Sequence, residues 1–150
     1  LEDRIDWYGV YDFSNGQCFI WSEGGCNGKN TAKFLEHVAR WLKPANCTTV
    51  IIGDGAPCHR AKLAQDAAAA LGFTLVSLPS YSPDLNPIEG LWKWMREEVT
   101  QNYCYNTMRE LFNACKAFIE RINAEPVQPI SRLWPSFEFD PEYEKLLVSK

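Results

Sequence analysis

Two carboxylates stand where a sequence can place metal chemistry. Asp54 closes the run 48–53 (TTVIIG) and is followed by Gly55, and Glu89 falls in the first turn of a helix opening at Asn86-Pro87. In open α/β sheets, ligand sites gather outside the carboxyl ends of strands, so two acids that follow successive strands can face one crevice. Paired carboxylates there suit Mg²⁺ or Mn²⁺, hard cations that prefer oxygen donors. Two such ions about 3.5–4 Å apart activate an attacking oxygen and stabilise a leaving one, which is the chemistry of phosphodiester cleavage.

Each acid also has a structural reading. Asp-Gly is common turn punctuation, and Glu89 sits three residues after Asn86, where a Glu folds back onto the cap backbone or pairs with Lys93 four residues on. His59 lies close to Asp54 just before a helix, where it either assists proton transfer and phosphate contact or serves as a structural hydrogen-bonding group. Lys93 and Arg96 follow Glu89 at spacings of four and seven, which puts them on its side of the helix, either against a DNA backbone or on a solvated face.

The elements that must position these residues are legible in outline. Segments 5–13 and 17–22 are aromatic and β-branched and flank Asn15-Gly16, a strong hairpin signal. After a loop of Gly24, Gly25 and Gly28, Asn30 is placed to cap a helix carrying Phe34, Leu35, Val38, Trp41 and Leu42 at helical spacing, with Pro44 ending it. Residues 48–53 suit a buried central strand, 60–71 an alanine-rich helix stopped by Gly72, and 73–78 (FTLVSL) a second strand. Strand, helix, strand predicts a right-handed parallel crossover. The Asn86-Pro87 helix carries Ile88, Leu91, Trp92, Met95 and Val99 as its apolar stripe. Thr107 and Glu110 have capping-box spacing for another helix, with Met108, Leu111, Phe112, Cys115, Ile119 and Ile122 on one face. A globular core therefore spans 1–124. From Glu125 onward Pro126, Pro129, Pro135 and Pro141 break regular structure, leaving 125–150 as an arm that packs through Leu133, Trp134, Phe137 and Tyr143.

Composition bounds the function. With 150 residues, 46% hydrophobic and 13% aromatic, the chain has ample material for one globular core. It has neither an apolar run of membrane-spanning length nor a signal-peptide pattern, so an intracellular, cytoplasmic protein is expected. A net charge of −4 and a pI near 5.2 argue against holding DNA by bulk electrostatics, so a DNA-acting protein of this kind needs a basic domain elsewhere. The six cysteines, Cys18, Cys26, Cys47, Cys58, Cys104 and Cys115, show no C-x-x-C pair and no zinc spacing, and are expected as reduced thiols, several of them buried.

The runs IIGDGAPCHRAK (51–62) and LPSYSPDLNPIEGLWKWMRE (78–97), with thirty-four residues between Asp54 and Glu89, resemble the second and third acidic motifs of bacterial insertion-sequence DDE transposases related to the Tc/mariner superfamily. The likeness extends over nearly the whole chain. It implies an RNase H-like α/β fold, a mixed sheet flanked by helices, in which three acids hold two Mg²⁺ or Mn²⁺ ions. Asp54 and Glu89 match the second and third acids. The family's first catalytic Asp lies on an opening strand that the hairpin here does not resemble, and Asp12, at a hairpin turn, does not fill that role. On this reading the first strand and its acid are absent from the chain and the fragment alone is inactive. Gly55 stands where the family usually has Asn.

The implied activity is cleavage of transposon ends and strand transfer into target DNA. The implied partners are transposon inverted repeats, target DNA and a second copy in a homodimer, in a nucleoid-associated setting. Two alternatives stay open: an RNase H-like nuclease or resolvase, and a truncated or degenerate domain acting in protein association.

Overall fold

The computed structural model describes residues 4–42 and 47–133. Pro44 and the apolar residues Trp134, Phe137 and Tyr143, assigned above to a helix end and to the arm, lie outside them.

Strands β1 (Tyr8–Asp12) and β2 (Gln17–Trp21) form the expected antiparallel hairpin, with Tyr8 opposite Trp21 and Asp12 opposite Gln17. Asn15-Gly16 marks the turn, but the loop is four residues long. Gly16 takes a φ of 65° and its N–H donates to the Asp12 carbonyl at 2.9 Å. The Asp12 carboxylate organises the loop, accepting from the Ser14 N–H (2.9 Å), the Ser14 hydroxyl (2.6 Å) and the Asn15 amide (2.8 Å). Asp12 is thus a turn residue.

Helix α1 (Gly28–Trp41) begins three residues earlier than expected. Its cap is Asn27, whose side chain accepts from the Asn30 N–H at 2.8 Å. Asn30 is instead buried inside the first turn, where its amide holds the glycine loop by donating to the Gly25 carbonyl (2.8 Å) and to that of Glu23.

Strands β3 (Thr49–Gly53) and β4 (Phe73–Ser77) pair in parallel, with Gly53 opposite Ser77. Their crossover is two helices rather than one: α2 (Pro57–Arg60) and α3 (Lys62–Leu71), separated by Ala61 in an extended conformation (φ −59°, ψ 145°). The break serves packing, because the Ala61 Cβ lies 2.6 Å from where a Cβ on Gly28 would stand. Buried Ala64 and Ala68 then give α3 a slim face, and α1 packs against α3. Gly72 ends α3 in the left-handed conformation (φ 73°), as its position suggested.

Helix α4 (Pro87–Met95) runs into a π-helical turn (Arg96–Thr100), and α5 (Met108–Ala124) follows. Thr107 caps α5 as expected, accepting from the Glu110 N–H at 3.1 Å, while the Glu110 carboxylate reaches the Asn106 N–H at 2.9 Å. The main core joins Cys18 and Ile20 of β2, Leu91, Trp94 and Met95 of α4, and Cys115, Phe118, Ile119 and Ile122 of α5.

The arm starts with a helix that the proline count concealed, α6 (Val127–Leu133). Pro129 lies in its first turn, where backbone N–H groups have no intrahelical acceptor, so the missing donor costs nothing. Buried Pro129 and Leu133 bring α6 against α4, and the Arg132 guanidinium stacks 4.5 Å over Trp94.

The two ladders, one antiparallel and one parallel, supply the mixed strand directions expected, but they are not hydrogen-bonded to each other among the described residues. Their far sides differ. The outer edge of β2 is closed by Asn123, whose side-chain amide accepts from the Cys18 N–H (2.8 Å) and donates to the Cys18 carbonyl (2.7 Å). β3 is less enclosed than a buried central strand: Ile51 packs on the smaller cluster of Tyr8, Phe34 and Val38, but Val50 and Ile52 are 52% and 54% exposed. The reason is that no further strand or helix covers that face among the described residues. A cleft of about 1160 Å³ separates the ladders.

Candidate active site

Asp54 follows β3 and Glu89 lies in the first turn of α4 after β4, so both acids belong to the carboxyl ends of the parallel pair. Both line the cleft, together with His59, Asn86 and Trp92. Lys93 and Arg96 are exposed on α4 and the turn after it, outside the cleft lining, and neither forms an ion pair among the described residues.

The chain turns sharply after Asp54 because Gly55 adopts a φ of 71°. A Cβ there would meet Ser77 at 3.4 Å, ordinary contact distance, so the demand is conformational rather than steric. Asn is among the few other residues that enter this region readily, which accounts for Gly standing where the resemblance leads one to expect Asn.

The two oxygens of Asp54 do different things. Oδ1 accepts from the Ala56 N–H at 3.0 Å and lies 3.1 Å from His59 Nδ1, so the turn-forming role is real. Oδ2 makes no hydrogen bond among the described residues. At Glu89 neither structural role is realised. The Asn86 side chain makes no cap bond, and the Glu89 carboxylate meets neither Asn86 nor Lys93. Only its backbone N–H, donating to the Asn86 carbonyl at 3.1 Å, serves the helix start.

Other acids on the cleft wall are committed. Asp6 pairs with Arg4 at 3.1 Å, and Asp12 is bound into its turn. Burial alone would raise the Asp12 carboxyl, but the hydrogen bonds from Ser14 and Asn15 outweigh it and hold the group below its ordinary value. The uncommitted oxygens of Asp54 and Glu89 are hard donors, the type that suits divalent cations of the Mg²⁺ or Mn²⁺ class.

One feature of the site escaped the sequence. Cys26 and Cys58 are joined in a disulfide beside His59, so two of the six cysteines are not free thiols. They are thirty-two positions apart in sequence, and no local spacing signals the pairing. Cys18 and Cys115 are buried free thiols, and Cys47 and Cys104 exposed ones.

The DDE superfamily endonuclease family model matches residues 2–112. The insertion element IS630 uncharacterized 39 kDa protein of Shigella sonnei is 26% identical over 106 residues, covering 68% of this chain and 31% of that protein. The uncharacterized protein y4pE/y4sA of Sinorhizobium fredii is 32% identical over 54 residues, 36% of this chain and 40% of its own length. The matched region thus spans roughly a third of these curated relatives. Among solved structures, the catalytic domain of Mos1 mariner transposase superposes with a TM-score of 0.55 at 15% identity, over 90% of this chain and 82% of that one. That likeness shows the fold, which is α/β and RNase H-like. The resemblance drawn from the two acidic motifs is borne out, and with most of its length matched by one family model, the chain belongs to the DDE superfamily endonucleases.

Proposed function

We propose that this chain forms part of the catalytic domain of a DNA transposase and supplies two of its metal-binding carboxylates, Asp54 and Glu89. The observation that carries the reading is that both acids line one cleft at the ends of parallel strands with carboxylate oxygens free of structural duty. His59 and the Ala56 N–H hold Asp54 Oδ1, which fixes the orientation in which Oδ2 is presented. Glu89 is carried by a helix anchored through Leu91 and Trp94 in the main core, so its position is set by packing.

When bound, divalent ions at these acids supply Lewis acidity toward a scissile phosphate and the oxygen that attacks it. Lys93 and Arg96, exposed nearby, would meet the DNA backbone. A third carboxylate comes from a segment outside the residues described, and a basic domain outside them recognises transposon ends, consistent with a pI near 5.2. Two copies acting on the two ends complete the assembly.

The test uses the full-length protein on a donor DNA with terminal inverted repeats, in Mg²⁺ or Mn²⁺. Glu89→Gln and Asp54→Asn should each reduce end cleavage by on the order of 10²-fold or more, since each removes a charged group from the site where transition-state charge is stabilised. Undiminished cleavage by Glu89→Gln would sink the reading. Cleavage without joining of the freed 3′-hydroxyl would mark a nuclease on the same fold instead.

A further inference from the structure

A second donor set lies beside the first, and its two sulfurs take no part in the proposed reaction. Cys26 Sγ, Cys58 Sγ and a ring nitrogen of His59 all lie within 4.8 Å of one another. Three features bring them there. The loop bearing Cys26 is pinned by the Asn30 amide, and by Tyr8, whose hydroxyl accepts from the Asn27 N–H and lies within hydrogen-bond reach of the Asn27 carbonyl, both at 3.2 Å. The close approach of Gly28 to Ala61 sets α1 against the α2–α3 elbow. His59 is held by its Nδ1 contact with Asp54 Oδ1 at 3.1 Å.

We propose that, once the Cys26–Cys58 disulfide is reduced, this chain binds one zinc-class ion through Cys26 Sγ, Cys58 Sγ and the His59 imidazole, with the fourth position open. Tetrahedral zinc takes thiolates at about 2.3 Å and imidazole at about 2.0–2.1 Å, which sets its donors roughly 4 Å apart. The bonded sulfurs are closer than that, so reduction must let them separate, while all three donors stay within 4.8 Å of one another. The contact with Asp54 has the form of a carboxylate that receives the Nδ1 proton of a metal-binding histidine. Such a partner fixes the tautomer, and the proposal assigns the metal to the other ring nitrogen. Thiolate and imidazole select zinc-class ions, whereas the oxygens of Asp54 and Glu89 select hard cations, so the two sites sort metals by donor type. Disulfide and metal are alternative states of the same sulfurs. A phosphine reductant with one water breaks the S–S bond, giving two thiols and the phosphine oxide, and metal binding then releases both thiol protons.

The test titrates Co²⁺ into the phosphine-reduced chain in a Cys47→Ser/Cys104→Ser background, which removes the exposed thiols. The remaining two cysteines are buried in the main core, out of reach of the added ion, and burial pushes the Cys18 thiol up to about 12 and that of Cys115 up to about 11. The expected result is one Co²⁺ per chain with thiolate charge-transfer and tetrahedral visible bands, displaced by Zn²⁺. These bands vanish in Cys26→Ser and in Cys58→Ser, and affinity falls about 10–100-fold in Asp54→Asn. Circular dichroism confirms that each variant is folded. A folded, reduced chain that binds no Co²⁺, or a thiolate spectrum that survives Cys26→Ser, overturns the proposal. Because the readout is spectroscopic, failure here is distinct from failure of the nucleolytic reading.

Discussion

The hairpin half and the parallel half of this molecule are built to different standards. Around β2, side chains from α4, α5 and α6 close a continuous core in which Ile20, Leu91 and Ile122 are fully buried. Around β3 and β4, only one face is packed, and Val50, Ile52 and Val76 stand open. Yet Asp54 is carried by the open half, and Glu89 by a helix rooted in the closed half. Stability and the proposed chemistry are thus divided: the closed half supplies the anchor, and the proposed site lies on the seam.

The largest effect should come from the closed half. Ile122→Ala removes a side chain with no exposed surface among close neighbours, and should lower unfolding free energy by about 2–5 kcal/mol, read from the shift in a urea midpoint at unchanged slope. A loss below about 1 kcal/mol would mean that this core is not the main source of stability.

An intermediate effect belongs to the turn. Asp12→Ala should cost about 1 kcal/mol, the net worth of hydrogen bonds at a partly exposed site. Because the folded carboxyl sits below its ordinary value, the unfolded chain binds the proton first as pH falls. The contribution is therefore complete above the ordinary carboxylate range and disappears as pH drops through the lowered folded value. Wild type and Asp12→Ala should converge in stability under acid; a constant gap would show that the carboxylate charge is not what the turn uses.

The smallest effect should come from the open half. Ile52→Thr keeps a β-branched side chain on a face already exposed to water, and should change stability by no more than about 0.5 kcal/mol. A loss comparable to that of Ile122→Ala would show that this face is covered in solution and would erase the contrast between the halves.

What the sequence disclosed follows the range of the forces involved. Gly72, Asn86-Pro87, Thr107 and the Asn15-Gly16 hairpin act within a few residues, and each marks the feature it suggested. Asn30 misled because Asn27, three residues earlier in a glycine-rich loop, has the same capping chemistry. Ala61 interrupts a helix although alanine favours helices, since its conformation answers to contact with Gly28. α6 stayed hidden because prolines counted as breakers are harmless in a first turn. The residue types at Asp54 and Glu89, and their places after strands, were legible. Whether their oxygens were already committed was not, because that depends on which neighbours the folded chain delivers. The Cys26–Cys58 pairing depends wholly on such delivery.

The Asn123 amide on β2 has one more consequence. By occupying both the N–H and the carbonyl of Cys18, it acts as a terminator: another strand laid along that side would have to displace two side-chain hydrogen bonds before forming its own. The hairpin therefore has a sealed flank and a receptive one. Polymerisation through β2 is discouraged, and any lengthening of this ladder is directed inward, toward the seam where the acids lie.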